Sequence, residues 1–271
     1  MPMLGFLFET PVCLLDEFRE GNESPRDGHV AFYRGCRERI PEGKRIARYR
    51  ADSASYQADL INELEKDDVL WAITARQDCA VRSSIEAIEE EKWEVPVVGC
   101  GYQIAETVHT MNKTDKGFRL IVRRWGLQGD LFDPPGQKYG YHVVASNCGE
   151  EEKGMAVLKW HNGRGQAENF NKELKSGFGC EQMPCGQMSA NAVFFRIGVI
   201  AYNLFMGFKL MTCPQGLRQR TIAMFRWKLI NVAGRIVYHA RRAVLRLVVD
   251  AQTLLDFKRI RRKCFALAMR T

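Results

Sequence analysis

Apolar and polar positions along residues 1–92 change their spacing several times, and each change predicts a different element. Apolar residues in 1–8 and 10–19 predict two antiparallel strands with a turn between them. Helices are then predicted at 27–40, 55–66 and 78–90, and strands at 44–51 and 69–74. Strands that alternate with helices at this spacing are typical of crossover units, so the strands at 44–51 and 69–74 are predicted to be parallel.

The pattern becomes β-rich between residues 93 and 148. Strand-like runs at 95–102, 118–125 and 139–145 are separated by turn sequences at 111–117 and 133–136. We interpret this segment as a β-rich insertion. Arg119, Arg123 and Arg124 lie in it beside Trp125, and two readings stay open for them: contact with a nucleic acid, or an ordinary exposed strand face.

Helical spacing returns in the last part of the chain. Most of 160–178 is predicted to be helical, a loop follows at 180–188, and further helices are predicted at 189–211 and 221–233. The apolar helix contains Arg196, Asn203 and Lys209, so we predict a core helix that does not span a membrane. Residues 234–249 fit either a helix or a hairpin, and their β-branched content favours a hairpin turning at His239–Ala240.

Composition and charge limit the classes of protein to which this sequence can belong. The chain has 271 residues, of which 46% are hydrophobic, so an intrinsically disordered protein is not expected. The formal net charge is +8. Residues 211–271 contain 14 Lys or Arg against two acids, Asp250 and Asp256. Basic charge concentrated at one end is typical of a surface that binds nucleic acid.

The cysteines give no sign of a disulfide framework or a zinc site. Nine are scattered along the chain without a C-x-x-C pair. An odd, unpatterned set favours reduced thiols in an intracellular protein.

Two carboxylates are candidates for chemistry. Glu168, Lys172 and Lys175 share one predicted helix face, with Arg164 one turn before Glu168. Such a face suits a metal at the carboxylate and phosphates at the cations, although a solvated face with salt bridges is the alternative. Asp52 directly follows the predicted strand at 44–51, where ligand sites of open α/β sheets gather, although capping of the next helix is the alternative.

These residues carry a family resemblance. His161, Arg164, Glu168 and Lys175 fit a Y-x2-R-x3-E-x6-K signature in which His161 replaces the tyrosine. The surrounding text R-G-x-x-E-N-x-x-K-E-L-K-x-G-F and the text R-A-D-S-A-S-Y around Asp52 fit the same pattern. In these motifs the chain resembles bacterial insertion-sequence DDE transposases.

The resemblance implies a fold and its division. The expected fold class is α/β, with an RNase H-like catalytic core that is incomplete because its first strand is missing, a β-rich insertion, and a helical, basic C-terminal region. The expected segments are a partial core at 1–92, the insertion at 93–148, core helices with the last catalytic acid at 149–211, and the basic region at 212–271.

The resemblance also implies an activity. Asp52 and Glu168 would be the second and third catalytic acids and would bind two Mg²⁺ or Mn²⁺ ions, while His161, Arg164, Lys172 and Lys175 would contact DNA. The family's first acid lies on a strand upstream of text like that at 3–9. We therefore expect an N-terminally truncated, inactive transposase.

The expected partners and alternatives follow from the same reading. The partner would be double-stranded DNA at transposon ends, with a possible dimer through the C-terminal helices and no membrane. The expected location is the bacterial cytoplasm, at the nucleoid. The alternative is a non-catalytic DNA-binding protein or one that inhibits a transposase by interaction.

Overall fold

The structure is a computed structural model that describes residues 2–128 and 137–269. The predicted turn at 133–136 lies outside the described residues. The chain divides into two compact units, which we call the sheet unit, Gly21–Gln166, and the helical unit, Met1–Glu20 with Ala167–Thr271. The four segments proposed from the sequence remain a prediction of the domain boundaries.

The sheet unit is a mixed α/β structure. Its strands are β3 (Arg48–Ala51), β4 (Leu70–Thr74), β5 (Gln103–His109), β6 (Phe118–Gly126) and β7 (Tyr139–Ser146). Its helices are α1 (His29–Glu38), α2 (Ala58–Lys66), α3 (Cys79–Glu86) and α4 (Gly154–Asn162). The strands form one sheet in the order β3-β4-β7-β6-β5. The parallel pairing predicted for the strands at 44–51 and 69–74 is confirmed by β3 and β4, and the other pairs of this sheet are antiparallel.

Apolar side chains cover both faces of this sheet, as alternation along each strand requires. One face packs against α1, α2 and α3, with Leu60, Leu64 and Trp71 fully buried. The other face packs against α4 through Val144 and Val157. Helices therefore cover much of both faces of the sheet.

The helical unit begins with a hairpin. Strands β1 (Met3–Phe6) and β2 (Cys13–Glu17) pair antiparallel, as predicted. The helices are α5 (Gly165–Lys172), whose first two residues belong to the sheet unit, α6 (Met188–Thr212), α7 (Gln215–Arg218), α8 (Ile222–Phe225) and α9 (Ala251–Ala268). The C-terminal hairpin consists of β8 (Gly234–His239) and β9 (Arg242–Leu247).

Helix α6 organises the helical unit. Its apolar side chains Phe195, Val199 and Tyr202 are buried against the first hairpin and the segment after α5. The polar side chains are also engaged: Arg196 pairs with Asp16, and the buried Lys209 donates to the Arg220 carbonyl at 2.9 Å. In the part of the chain that the structure describes, α6 is the one helix long and apolar enough to cross a membrane by length and composition. Only one face of α6 is buried, and Val193, Ile197 and Leu204 on the other face are exposed, so the core helix that does not span a membrane stays a prediction.

The hairpin reading of residues 234–249 is confirmed, with the turn one residue later than predicted. His239 pairs with Arg242, so Ala240 and Arg241 form the turn. Both adopt positive φ, 47° and 63°, as a two-residue turn that matches the twist of the strands requires. Basic side chains of this hairpin and of α9 are exposed, among them Arg235, Arg242 and Arg259.

The cysteines are free thiols. Five of the nine are buried, and burial raises the pKa of Cys36 to about 11. Cys79 and Cys185 are exposed. The absence of disulfides among them agrees with the reduced thiols predicted from the sequence.

Two predicted elements differ from the structure. Residues 95–102 form no strand, and Gly99 and Gly101 there adopt positive φ of 80° and 72°. Instead, β5 pairs with β6 just downstream. The predicted helix over 160–178 is divided: α4 ends at Asn162, α5 begins at Gly165, and a π-helical turn, Glu173–Gly177, follows.

The polar contact between α6 and the first hairpin generates a stability prediction. The Cys13 amide donates to Asn203 Oδ1 at 2.9 Å, and Asn203 Nδ2 donates to the Cys13 carbonyl at 2.8 Å. Asn203→Ala removes both hydrogen bonds, so we expect a loss of about 1–3 kcal/mol in the free energy of unfolding, measured by urea denaturation. The control is Gln219→Ala at an exposed position. Equal stability of the two variants would contradict this role for Asn203.

Candidate functional site

Asp52 lies directly after β3, at the carboxyl end of a parallel strand, as the sequence predicted. Its side chain is exposed, and Oδ1 accepts the Ala54 amide at 3.0 Å, which caps a single 3₁₀ turn at Ser53–Ser55. The alternative that Asp52 caps the next helical turn is therefore correct for its Oδ1 atom. An exposed carboxylate held by one backbone donor keeps lone pairs available for a metal or for a hydrogen bond from a substrate.

The turn after Asp52 is anchored from within the sheet unit. Ser55 is buried, and its hydroxyl lies 3.1 Å from His29 Nδ1. His29 Nε2 in turn lies 2.8 Å from the Pro25 carbonyl. These contacts fix the backbone on the downstream side of Asp52.

His161 fixes the backbone on the upstream side of Asp52. Its side chain is fully buried, and Nε2 lies 3.2 Å from both the Ala51 carbonyl and Thr74 Oγ1. Because a carbonyl only accepts, Nε2 carries the proton. The ring therefore joins the carboxyl ends of β3 and β4, one residue before Asp52.

Arg50 adds a second tie between β3 and the end of α4. Its Nη1 donates to the Trp160 carbonyl at 2.6 Å. That carbonyl belongs to the last turn of α4, where a cation is favoured by the helix dipole. Trp160 and His161, both in the last turn of α4, therefore contact the strand that presents Asp52.

Burial controls the charge of His161. Desolvation by burial lowers the pKa of His161 to about 4, with smaller contributions in the same direction from His142, Arg164 and Arg50 and an opposing one from the hydrogen bond to Ala51. The His142 ring lies 5.9 Å from the His161 ring, and burial lowers its pKa as well. Both rings are therefore neutral at pH 7.

The remaining residues of the predicted site are divided between the units. Arg164 belongs to the sheet unit, between α4 and α5, and is half-buried. Glu168, Lys172 and Lys175 belong to the helical unit, and all three are exposed. Glu168 and Lys172 lie four residues apart on α5, so they share a face, whereas the wider π-helical turn rotates Lys175 out of that row.

His161 does not lie where the sequence interpretation expected it. A polar ring near DNA was predicted, but the imidazole is enclosed in the sheet unit and contacts backbone and Thr74. Thr74 and His142 were missed by the sequence interpretation. Each left a weak signal, because each is the polar member of an otherwise apolar strand run.

The described residues do not form a complete metal site. Asp52 and Glu168 are carboxylates, the ligand type that Mg²⁺ prefers. Within residues 2–128 and 137–269, however, no three His, Cys, Asp or Glu side chains come together as a group that could hold a metal ion. Two-metal phosphoryl chemistry uses such a group of carboxylates.

The depressed pKa of His161 generates a pH prediction. Its folded pKa of about 4 lies below the usual 6.5, so its contribution to stability is full above pH 6.5 and is lost as the pH falls towards 4. Between pH 7.5 and 4.5 we expect the wild type to lose about 2–3 kcal/mol more unfolding free energy than His161→Gln. Urea denaturation at both pH values measures this difference.

The matched control for this prediction is the exposed His239, changed to Gln. Its pH dependence should follow the wild type. If His161→Gln also follows the wild type, His161 is not the buried neutral group that couples stability to pH.

Comparison with known proteins identifies the family. The model of the family described as Transposase DDE domain group 1 matches residues 1–263. A comparison with curated proteins found no match. The matched region includes both candidate acids, Asp52 and Glu168, and the whole of both hairpins. Because this match covers nearly all of the 271 residues, the chain belongs to the DDE transposases.

Proposed function

We propose that this chain takes part in DNA transposition and that its sheet unit is an RNase H-like core in which Asp52 is a catalytic carboxylate. The reaction of the family would be metal-dependent cleavage of phosphodiesters and strand transfer. The observation that carries the proposal is the position of Asp52, exposed at the end of a parallel strand whose last carbonyl is held by buried His161. Ligands of open α/β sheets bind at such strand ends.

Each site residue has a proposed role that follows from its surroundings. Asp52 and Glu168 would supply carboxylate oxygens for Mg²⁺ or Mn²⁺, the hard ligands that these ions require. Arg164, Lys172 and Lys175 would contact phosphates of double-stranded DNA. His161 would act as a positioning residue, because its contacts go to the frame of Asp52 and its ring is enclosed.

We further propose that the 271 residues on their own bind DNA without cleaving it. The family resemblance implies three catalytic acids, and its motifs match two, Asp52 and Glu168. A location at the nucleoid in the bacterial cytoplasm would follow from a DNA partner.

A second candidate function is that of a non-catalytic DNA-binding or transposase-inhibiting interaction protein. It is favoured by the C-terminal hairpin and α9, which expose apolar side chains such as Tyr238, Leu245 and Phe265 beside basic ones. Exposed apolar surface of this kind suits contact with another protein. The possible dimer through the C-terminal helices belongs to the same hypothesis.

A cleavage and binding assay tests the proposal. Purified Met1–Thr271 is incubated with supercoiled DNA and Mg²⁺ or Mn²⁺, and its affinity for duplex DNA is measured at 50 and 200 mM salt. We expect no metal-dependent nicking, and a loss of affinity of more than about tenfold at the higher salt, since several phosphate contacts would be screened.

Asp52→Ala and Glu168→Ala are the controls. Nicking by the wild type that either substitution abolishes would show that a further carboxylate completes the site, and the chain would be an active nuclease or transposase. Nicking that both variants retain would point to a contaminant. Absence of DNA binding by the wild type would refute the proposed role in transposition.

A further inference from the structure

Three arginines of β6 differ in how completely they are engaged. Arg119 Nε pairs with Glu106 at 2.6 Å, and its Nη1 donates to the carbonyls of Gly149 and Glu152. Arg124 is buried and pairs with Glu90, and its guanidinium lies 4.0 Å from the centre of the Trp93 ring. Structural contacts within the sheet unit therefore account for both of these arginines.

Arg123 is engaged differently. Its guanidinium stacks on two aromatic rings, 5.3 Å from the centre of Tyr102 and 5.5 Å from that of Trp125. Its Nε is buried and has no hydrogen-bond acceptor. A buried donor without an acceptor is destabilising, and more so in a charged group. Aromatic stacking fixes the guanidinium plane, so its donors are pre-oriented for a planar or tetrahedral oxyanion.

A pocket of about 220 Å³ lies at this arginine. Its polar side chains are Arg123, His142, Lys159 and Asn162, and its apolar side chains are Tyr102, Met155 and Leu158. None of these lining residues is acidic. Arg123 and Arg164 both act electrostatically on His142 and lower its pKa, so the field around that ring is positive.

The size of the pocket limits its ligand. Sites for whole small-molecule ligands usually measure about 300–1,000 Å³. A smaller space with one fixed guanidinium, one ammonium and one amide suits a single phosphate group with part of its neighbouring sugar. The exposed Lys159 at the rim would add a point charge to the Arg123 fork.

The pocket lies towards the same end of the strands as Asp52, the carboxyl end of β3 and β4. Arg123 pairs with His142 across β6 and β7, the His142 ring lies 5.9 Å from His161, and His161 contacts the Ala51 carbonyl. Strands lie about 4.8 Å apart, so the three steps from β3 to β6 span about 14 Å. That distance corresponds to about four nucleotides along the axis of a duplex.

We infer that this pocket binds a phosphate group, and, resting on the proposed function, that the group is a backbone phosphate of the DNA strand that approaches Asp52. The Arg123 guanidinium would donate to the phosphate oxygens, with Lys159 and Asn162 completing the contacts. The contact would be insensitive to sequence, because it reads only the backbone.

Histidine NMR of the whole chain tests the pocket itself. Inorganic phosphate is titrated into the labelled protein, with sodium chloride at matched ionic strength as the reference, and the His142 signal is assigned with His142→Asn. An anion beside His142 favours the protonated ring, so we expect phosphate to raise its pKa in a saturable manner. The shift should fall in Arg123→Gln and in Lys159→Gln, and persist in Arg82→Gln, which changes an exposed arginine of α3.

Lys159 is an exposed side chain of α4, so its substitution is not expected to disturb folding. Lys159→Gln therefore tests the pocket even if Arg123→Gln does not fold. A His142 titration that phosphate does not move, or moves no more than chloride does, would overturn the inference. So would an equal loss in the Arg82 variant.

Duplex DNA binding distinguishes the two sources of the phosphate. If the group belongs to DNA, Arg123→Gln should weaken binding about tenfold and reduce the slope of log affinity against log salt by about 0.9, whereas Arg82→Gln should change neither. A His142 response to phosphate in a wild type that binds no DNA would support the oxyanion pocket and refute the proposed function. Wild-type DNA binding with equal slopes in all variants would leave the proposed function intact and overturn the backbone contact.

Discussion

The site of this transposase depends on one buried imidazole. His161 Nε2 lies between the Ala51 carbonyl and Thr74, so a single ring joins the ends of two parallel strands and sets the backbone that presents Asp52. The arrangement requires a neutral ring, because burying a charged imidazole in this enclosed position would carry a large desolvation free energy.

The local spacing of apolar residues predicted an element correctly where that element is buried as its spacing suggests. β6 and β7 are apolar runs buried on both faces, and α6 is an apolar run that buries one face against a hairpin and later helices, while Val193, Ile197 and Leu204 on its other face are exposed. Residues 95–102 are equally apolar, but Pro96 and the glycines there favour irregular backbone. β5 was missed because its strand character is imposed by β6: Glu106 pairs with Arg119, a partner that short-range spacing does not reveal.

The candidate site was only partly visible in the sequence for the same reason. Asp52 was found because strand, carboxylate and turn are consecutive. The enclosure of His161 was not found, since a polar residue beside Arg164 suggests a surface, and its partners Ala51 and Thr74 are 110 and 87 residues away. The three arginines of β6 looked alike, and only their distant partners separate two structural arginines from Arg123.

The distribution of thiols has a practical consequence for experiments on assembly. The thiolate is the form that reacts with oxidants, and burial raises the pKa of Cys36, Cys148, Cys180 and Cys213, which suppresses it there. Cys79 and Cys185 lie at the surface, one in each unit. During purification in air, covalent cross-links between molecules would form first at these two positions. A dimer seen without a reducing agent would then report disulfide chemistry, not association through the C-terminal helices.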